Sequence, residues 1–545
     1  MPSNRLTLTC PLAPAERAEL DARAAQFGQD HDLGTLADYL CERFGLEMEL
    51  DPDVVQGYAR DESNLPGHAD ALCRPRTPCE CALIVRTCYL AGLPFTVSGG
   101  RSNLTGSATP EDGVVVSLAQ LDAPGLTIDC EHERVTAPVG VVLEDLRQEV
   151  RRASSRRLHF PVNPTSRIDA HLGGALACNA SGFTPGAPGA MRYWVEELDI
   201  VFPNGYGLHA ARGEYISRDG RFVLDHDGRE TIWPVPRYPR PAVKNASGPF
   251  SDPNGEIDLV DLFIGSEGIF GIVTGCTLRL EPAPAAMLEL FFSLPSEERA
   301  LAVQRYLAEH LPGGLSSLAA CEYFGPACRR FMAHADVLFS DAAAVALYVA
   351  VPLETDTIDD AAEQWFTMLT GPECDVDEDA IMLIDSPRTR EILFEARHSI
   401  PSKILEIVQQ RGTVTIVTDA VVPSGQFGVY LTRAHALLKD SGLDYTAFGH
   451  FGDCHVHFTV LPEKEQMDAA YHVYDELIAL AAAMGGVYSG EHGTGKRKRH
   501  DFVACYGEQG IHDVARSKAA VDPRCLLCRG NVIAAEDVLA CAERL

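Results

Sequence analysis

The sequence predicts an α+β protein with two main domains. Three observations carry this. The chain has 545 residues, too many for one small core. From Leu72 to Pro284 short apolar strands alternate with glycine clusters and a few helices. From Ala286 onward strand–helix–strand units with hairpins take over. The change falls at Glu281-Pro-Ala-Pro-Ala.

The elements follow in order. Residues 1–68 read as a helical N-terminal extension, with helical patterns at Pro14–Phe27 and Leu36–Phe44 joined by the polar stretch Gln29–Gly34. The first domain, 69–284, holds a strand at Val114–Leu118, an amphipathic helix at Val142–Arg152 and a strand at Leu198–Phe202 closed by Pro203-Asn204-Gly205. Gly213–Gly255 is polar and rich in Pro and Gly, and reads as a surface excursion. In the second domain, 285–510, strands Leu288–Phe292 and Ala344–Val351 alternate with helices Ser296–His310 and Asp359–Leu369. A hairpin at Tyr445–Gly449 and His455–Leu461 precedes the helix Glu463–Met484. An antiparallel, ferredoxin-like sheet with helices on one face is expected. Residues 511–545 form a closing segment.

Composition narrows the function. Hydrophobic residues make up 46% and charged residues 23%, an ordinary globular balance. The net charge of -31 disfavours nucleic acid. No apolar run is long enough to span a bilayer, and Met1–Cys10 does not read as a secretory signal. A cytoplasmic protein is expected, with peripheral membrane association as a variant and a homodimer as a candidate assembly. The 17 cysteines are mostly scattered, and Cys525-Leu-Leu-Cys528 has no second pair nearby. Structural thiols are expected rather than a cluster or disulfides.

Three segments are dense in glycine. In Ser98–Gly106, Gly99, Gly100 and Gly106 permit tight turns and close approach, while Ser102, Asn103 and Thr105 add donors. Such an anion nest suits a pyrophosphate, although a plain glycine turn has the same composition. The second segment holds Pro164 and Thr165, then Gly173, Gly174, Asn179, Ser181 and Gly182. The third holds Gly265, Ser266, Glu267, Gly268, Gly271, Ile272 and Val273. None opens a Rossmann unit, and no P-loop lysine motif occurs, so nicotinamide and ATP sites are poorly supported.

Taken in this order, the three segments resemble the FAD-binding (PCMH-type) domain of the vanillyl-alcohol-oxidase superfamily, nearest to the D-lactate, glycolate and D-2-hydroxyglutarate dehydrogenases. The family's Gly-Gly before Asn-Ala-Ser-Gly matches Gly173-Gly174 and Asn179–Gly182, and its Gly-Ser-Glu-Gly matches Gly265–Gly268. Its Arg-Gly-Gly-Gly-Thr-Ser loop is here Ser98-Gly99-Gly100-Arg101-Ser102-Asn103. The resemblance implies FAD. Relatives that tether it use a His in or near this loop; residues 98–106 contain none, so a non-covalent flavin is expected.

His450, His455 and His457 in Phe448–Phe458, with Glu491 and His492 in Gly490–Gly495, form the richest chemical cluster. Alternation puts His455 and His457 on one strand face, and two His with one carboxylate is a common divalent-metal set. The resemblance implies His450, His457 and Glu491 as ligands of a divalent metal, Zn or Mn, with His492 as the base. It implies Arg397 as the cation for a substrate carboxylate. The family's Asp-Gly-Asn is here Asp453-Cys454-His455, leaving His455 as a third ligand or a substrate contact. Ile416-Val417-Thr418 stands where D-2-hydroxyglutarate enzymes place a Lys, which favours a smaller acid. The basic run Lys496–His500 reads as a solvated face, or as a means to attract the substrate or an acidic partner. The family's closing segment returns to the flavin, with Asn usual at the place of Cys528.

The implied activity is oxidation of a D-lactate-like 2-hydroxy acid. Electrons would pass to a quinone, a cytochrome, an iron–sulfur subunit or an electron-transfer flavoprotein. The alternatives are an electron-relay flavoprotein subunit, an alcohol oxidase, or an enzyme like alkylglycerone-phosphate synthase.

Overall fold

The computed structural model describes residues 2–30, 32–355 and 357–544. In the first half two sheets face each other. One has four strands in the order Met48–Glu49, Ala71–Cys73, Val114–Ser117, Phe95–Ser98, the last three parallel. Val114, Val115 and Val116 are all fully buried, as a strand covered on both faces requires. The other sheet is antiparallel, in the order Gly207–Ala211, Val195–Val201, Ile272–Arg279, Arg134–Pro138, Thr127–Asp129. Helix Pro78–Ala91 begins at a Thr77 cap and stops at Gly92, whose φ of 74° is costly for any other residue. Its Cys81 and Cys88 are buried in the core.

The extension is not purely helical. Helices Pro14–Asp30 and Leu33–Phe44 are present, but strand Arg5–Thr7 runs parallel to Arg221–His226, which pairs with Arg229–Pro234. Leu6 and Leu8, one residue apart, are both buried; this is strand alternation too short to stand out in the sequence. The expected surface excursion at 213–255 is likewise half core. Phe222, Trp233 and Phe250 are fully buried, and Trp233 packs edge-on against Phe202, Phe263 and Phe270. Three aromatic anchors outweigh the polar residues around them.

The second half is built on one seven-stranded antiparallel sheet. Its order is Ile381–Leu383, Ala286–Leu294, Val345–Leu353, Ala320–Phe324, Tyr445–His450, His455–Val460, Ile416–Val417. Helices cover both faces rather than one. Leu290 and Phe292 share a core with Val303 and Leu307 of helix Glu297–His310. Phe291, pointing the other way, packs with Ile400 and Ile404 of helix Pro387–Arg411. The run Leu288–Phe292 offers apolar side chains to both sides, and each needs a cover. The chain then returns along helix Arg499–Val521 to the first sheet. Phe95 N–H donates to the Leu526 carbonyl (2.8 Å), and Cys528 N–H to the Phe95 carbonyl (2.8 Å).

Candidate active site

All three glycine-rich segments open onto one cavity of about 540 Å³ between the two halves. Ser98, Gly99, Gly100, Arg101, Ser102 and Asn103 line it, together with Pro164, Thr165, Gly173, Gly174, Ser181 and Gly182. Ser266, Glu267, Gly268, Gly271, Ile272 and Val273 also line it, and so do His450, Glu491 and His492. The glycines are there for close approach: a Cβ on Gly100 would lie 1.9 Å from the Asp169 carbonyl oxygen. Four polar atoms, Ser98 Oγ, Asn103 Nδ2, His171 Nδ1 and Ser181 Oγ, are buried with no protein partner. They belong to cavity-lining residues, and such orphaned groups suit a large polar ligand. A flavin dinucleotide fits this chemistry.

Five of the expected cofactor residues do other work. Thr105 and Gly106 lie behind the wall; the Thr105 carbonyl accepts from Lys496 N–H at 2.9 Å. Asn179 caps a helix with φ 53°, and its side-chain amide donates to the Asn245 carbonyl. Gly265 provides a turn with φ 81°. Glu267 touches the cavity, yet its carboxylate accepts from the backbone N–H groups of Thr494 (2.5 Å) and Gly495 (2.6 Å) and so holds the catalytic loop. His171, far along the chain from the first loop, packs against Gly99 and Gly100. Sequence reasoning missed it because only the fold brings it there.

The three histidines of the hairpin share a face. His450 pairs directly opposite His455, and Cys454 turns the chain with φ 56°. His450 Nε2 lies 3.1 Å from Glu491 Oε2, and His457 Nε2 lies 3.2 Å from Glu491 Oε1. The far nitrogens are committed: His450 Nδ1–H donates to Glu322 Oε1 (2.7 Å), and His457 Nδ1–H to the Thr418 carbonyl (3.0 Å). Both Nε2 atoms therefore converge on the Glu491 carboxylate, the arrangement that outer hydrogen bonds give to metal-ligating imidazoles. Thus the side chains of His450, His457 and Glu491 suit a divalent metal.

His455 also brings a ring nitrogen within 4.8 Å of the ligand atoms of His450, His457 and Glu491. It is fully buried, with Nε2 on Asp419 Oδ1 at 3.0 Å, and burial pushes its pKa down to about 3. It does not line the cavity just described. Asp419, missed in the sequence, is also fully buried and gathers Ser489 Oγ (2.7 Å), His492 N–H (3.0 Å) and Lys498 Nζ (2.8 Å). Burial opposes its charge, but His492 and Lys498 hold it well below the usual carboxylate range. Two lysines of the basic run are therefore turned inward, while Arg497 and His500 stay exposed: Lys498 is buried on Asp419, and Lys496 Nζ donates to Asn531 Oδ1. His492 presents Nδ1 to Asp419 (3.5 Å) and Nε2 to Glu491 (3.6 Å); burial pushes it down to about 4, leaving it neutral.

Lys244, a second residue missed, comes from the polar excursion. Its buried Nζ is 3.3 Å from Glu491 and 3.5 Å from Asp453. Burial opposes the ammonium, but Glu491 and Asp453 outweigh it and raise its pKa. Arg397 lies outside the cavity wall, donating to Glu322 Oε2 at 2.8 Å and resting 3.8 Å over the Phe183 ring. Cys528 lines the cavity against Gly268, and all the cysteines are free thiols. Among the described residues no helix is long and apolar enough to cross a membrane.

Two family models match the chain. Residues 69–211 match an FAD binding domain, and residues 306–532 match the C-terminal domain of FAD linked oxidases. A D-lactate dehydrogenase of Anaerostipes hadrus is 25% identical over 88% of this chain and 93% of its own length. Glycolate oxidase subunit GlcD of Bacillus subtilis is 24% identical over 85% and 89%. The structure of p-cresol methylhydroxylase with substrate bound shares the fold with a TM-score of 0.63, at 15% identity over 97% of this chain and 99% of that one. With both halves matched in order around one shared cavity, the chain belongs to the FAD-linked oxidase family and is an FAD-linked oxidoreductase, distantly related to the D-lactate, glycolate and D-2-hydroxyglutarate enzymes.

Proposed function

We propose that this protein is a dehydrogenase that oxidises a small D-2-hydroxy acid to the 2-oxo acid, with non-covalently held FAD and a divalent metal, Zn or Mn. The observation that carries the reading is the convergence of His450 Nε2, His457 Nε2 and the Glu491 carboxylate at the end of the flavin cavity, with His492 beside them. When bound, the flavin supplies hydride acceptance and the metal polarises the substrate hydroxyl. His450, His457 and Glu491 hold the metal. His492 is neutral near pH 7 and receives the hydroxyl proton at Nε2, since its Nδ1 faces Asp419. Arg397 receives the substrate carboxylate as a planar fork. Phe183 beneath the guanidinium limits water on that side.

The uncharged Ile416-Val417 pair, at the place where D-2-hydroxyglutarate enzymes carry a Lys, supports a monocarboxylate. The electron acceptor is a separate partner: a quinone, a cytochrome, an iron–sulfur subunit or an electron-transfer flavoprotein. The test is anaerobic mixing with a panel of D- and L-2-hydroxy acids. One D acid bleaches the flavin, and chelation abolishes the bleaching. A flavin that no acid reduces with Zn or Mn present overturns the reading.

A further inference from the structure

We propose that Glu322 is a positioning residue that couples the substrate cation to the metal site: the grip of His450 on a metal depends on what Arg397 is paired with. The proposal rests on the hydroxy-acid reading for its biological use, but its geometry stands alone. Glu322 lies in strand Ala320–Phe324, directly across the ladder from His450, and is only 3% exposed. Its two oxygens are divided between two cations. Oε1 accepts from His450 Nδ1 at 2.7 Å, and Oε2 accepts from Arg397 Nη2 at 2.8 Å.

Of the two partners only Arg397 is open to an arriving anion; its side chain is 31% exposed, against 9% for His450. A substrate carboxylate that engages the guanidinium draws its charge away from Glu322. The buried carboxylate is then left to His450 alone. A stronger acceptor on Nδ1–H makes Nε2 a better donor to a metal. Substrate arrival therefore tightens the metal, and by linkage the metal tightens the substrate by the same factor. An acid-free apoenzyme holds its metal loosely; the complex that needs it holds it firmly.

A double-mutant cycle on Zn2+ affinity tests this in the FAD-loaded protein, with no organic acid present, by competition against a chromophoric chelator. Glu322→Gln weakens Zn2+ binding by roughly 10–100-fold. Arg397→Met, which mimics a neutralised guanidinium, tightens Zn2+ binding severalfold when Glu322 is present and has no effect in the E322Q background. An unchanged Zn2+ affinity in R397M, or an equal shift in both backgrounds, overturns the coupling. Should E322Q fail to fold, R397M alone still decides, because its half-exposed side chain is not part of the core. A chain that binds no Zn2+ overturns both the coupling and the metal assignment. A failed acid panel with an intact cycle overturns only the hydroxy-acid reading.

Discussion

At the scale of single residues, the site separates groups that touch the reaction from groups that aim them. In the mechanism we propose, His492 is in the first class. Its replacement by Ala removes a proton acceptor and leaves the cavity wall otherwise intact. We expect full flavin content with flavin reduction slowed by about 10²–10⁴-fold, measured by stopped-flow absorbance; unchanged reduction removes His492 from the role. His450 gives a second prediction. Burial works against its charge, but Glu322 and Glu491 outweigh this and raise its pKa to about 9 in the metal-free protein. A metal must displace that proton, so Zn or Mn affinity climbs as pH rises towards about 9 and levels above it. Equilibrium dialysis between pH 6 and 10 reads this, and a flat profile excludes His450 as a ligand.

At the scale of elements, the glycine loop and the hairpin were legible to different depths. The sequence named the residues lining the loop, because a nest needs glycine and small donors in consecutive positions. It did not reveal why Gly100 is glycine, since the Asp169 carbonyl that would meet a Cβ at 1.9 Å comes from a distant segment. Gly100→Ala should fold with a displaced loop and lose most of its flavin, at a packing cost of about 1–3 kcal/mol. Flavin absorbance of the purified variant against its melting temperature checks this; normal flavin content contradicts it. In the hairpin, alternation placed His455 with His457, yet could not tell that Asp419 would claim His455. A buried carboxylate leaves no periodic mark, and neither does Lys244 in a Pro-rich stretch.

At the scale of the whole molecule, the first rhythm of the sequence folds into several small sheets and the second into one seven-stranded sheet that carries the histidine hairpin. What escaped was anything set by tertiary packing. The extension's strand Arg5–Thr7 pairs with a segment more than two hundred positions away, and helices on both faces of the large sheet follow from a run too apolar to show a period. The inward turn of Lys496 and Lys498 escaped for the same reason. A cluster of charge looks solvated until a buried acid such as Asp419 is placed beside it.

The pairing of Phe95 with Leu526 and Cys528 has a consequence for biosynthesis. The flavin cavity takes walls from the first loop, from the middle of the chain and from Cys528 near its end. A ribosome that has released everything through the catalytic loop still holds back the last side of the container. Cofactor capture must then wait until Cys528 is in place, and a nascent first domain alone cannot serve as a flavin trap. A chain ending at Asp522 should accumulate without yellow colour even with excess FAD, whereas the full chain binds it. Retention of flavin by the shortened chain would show that the closing strand is dispensable.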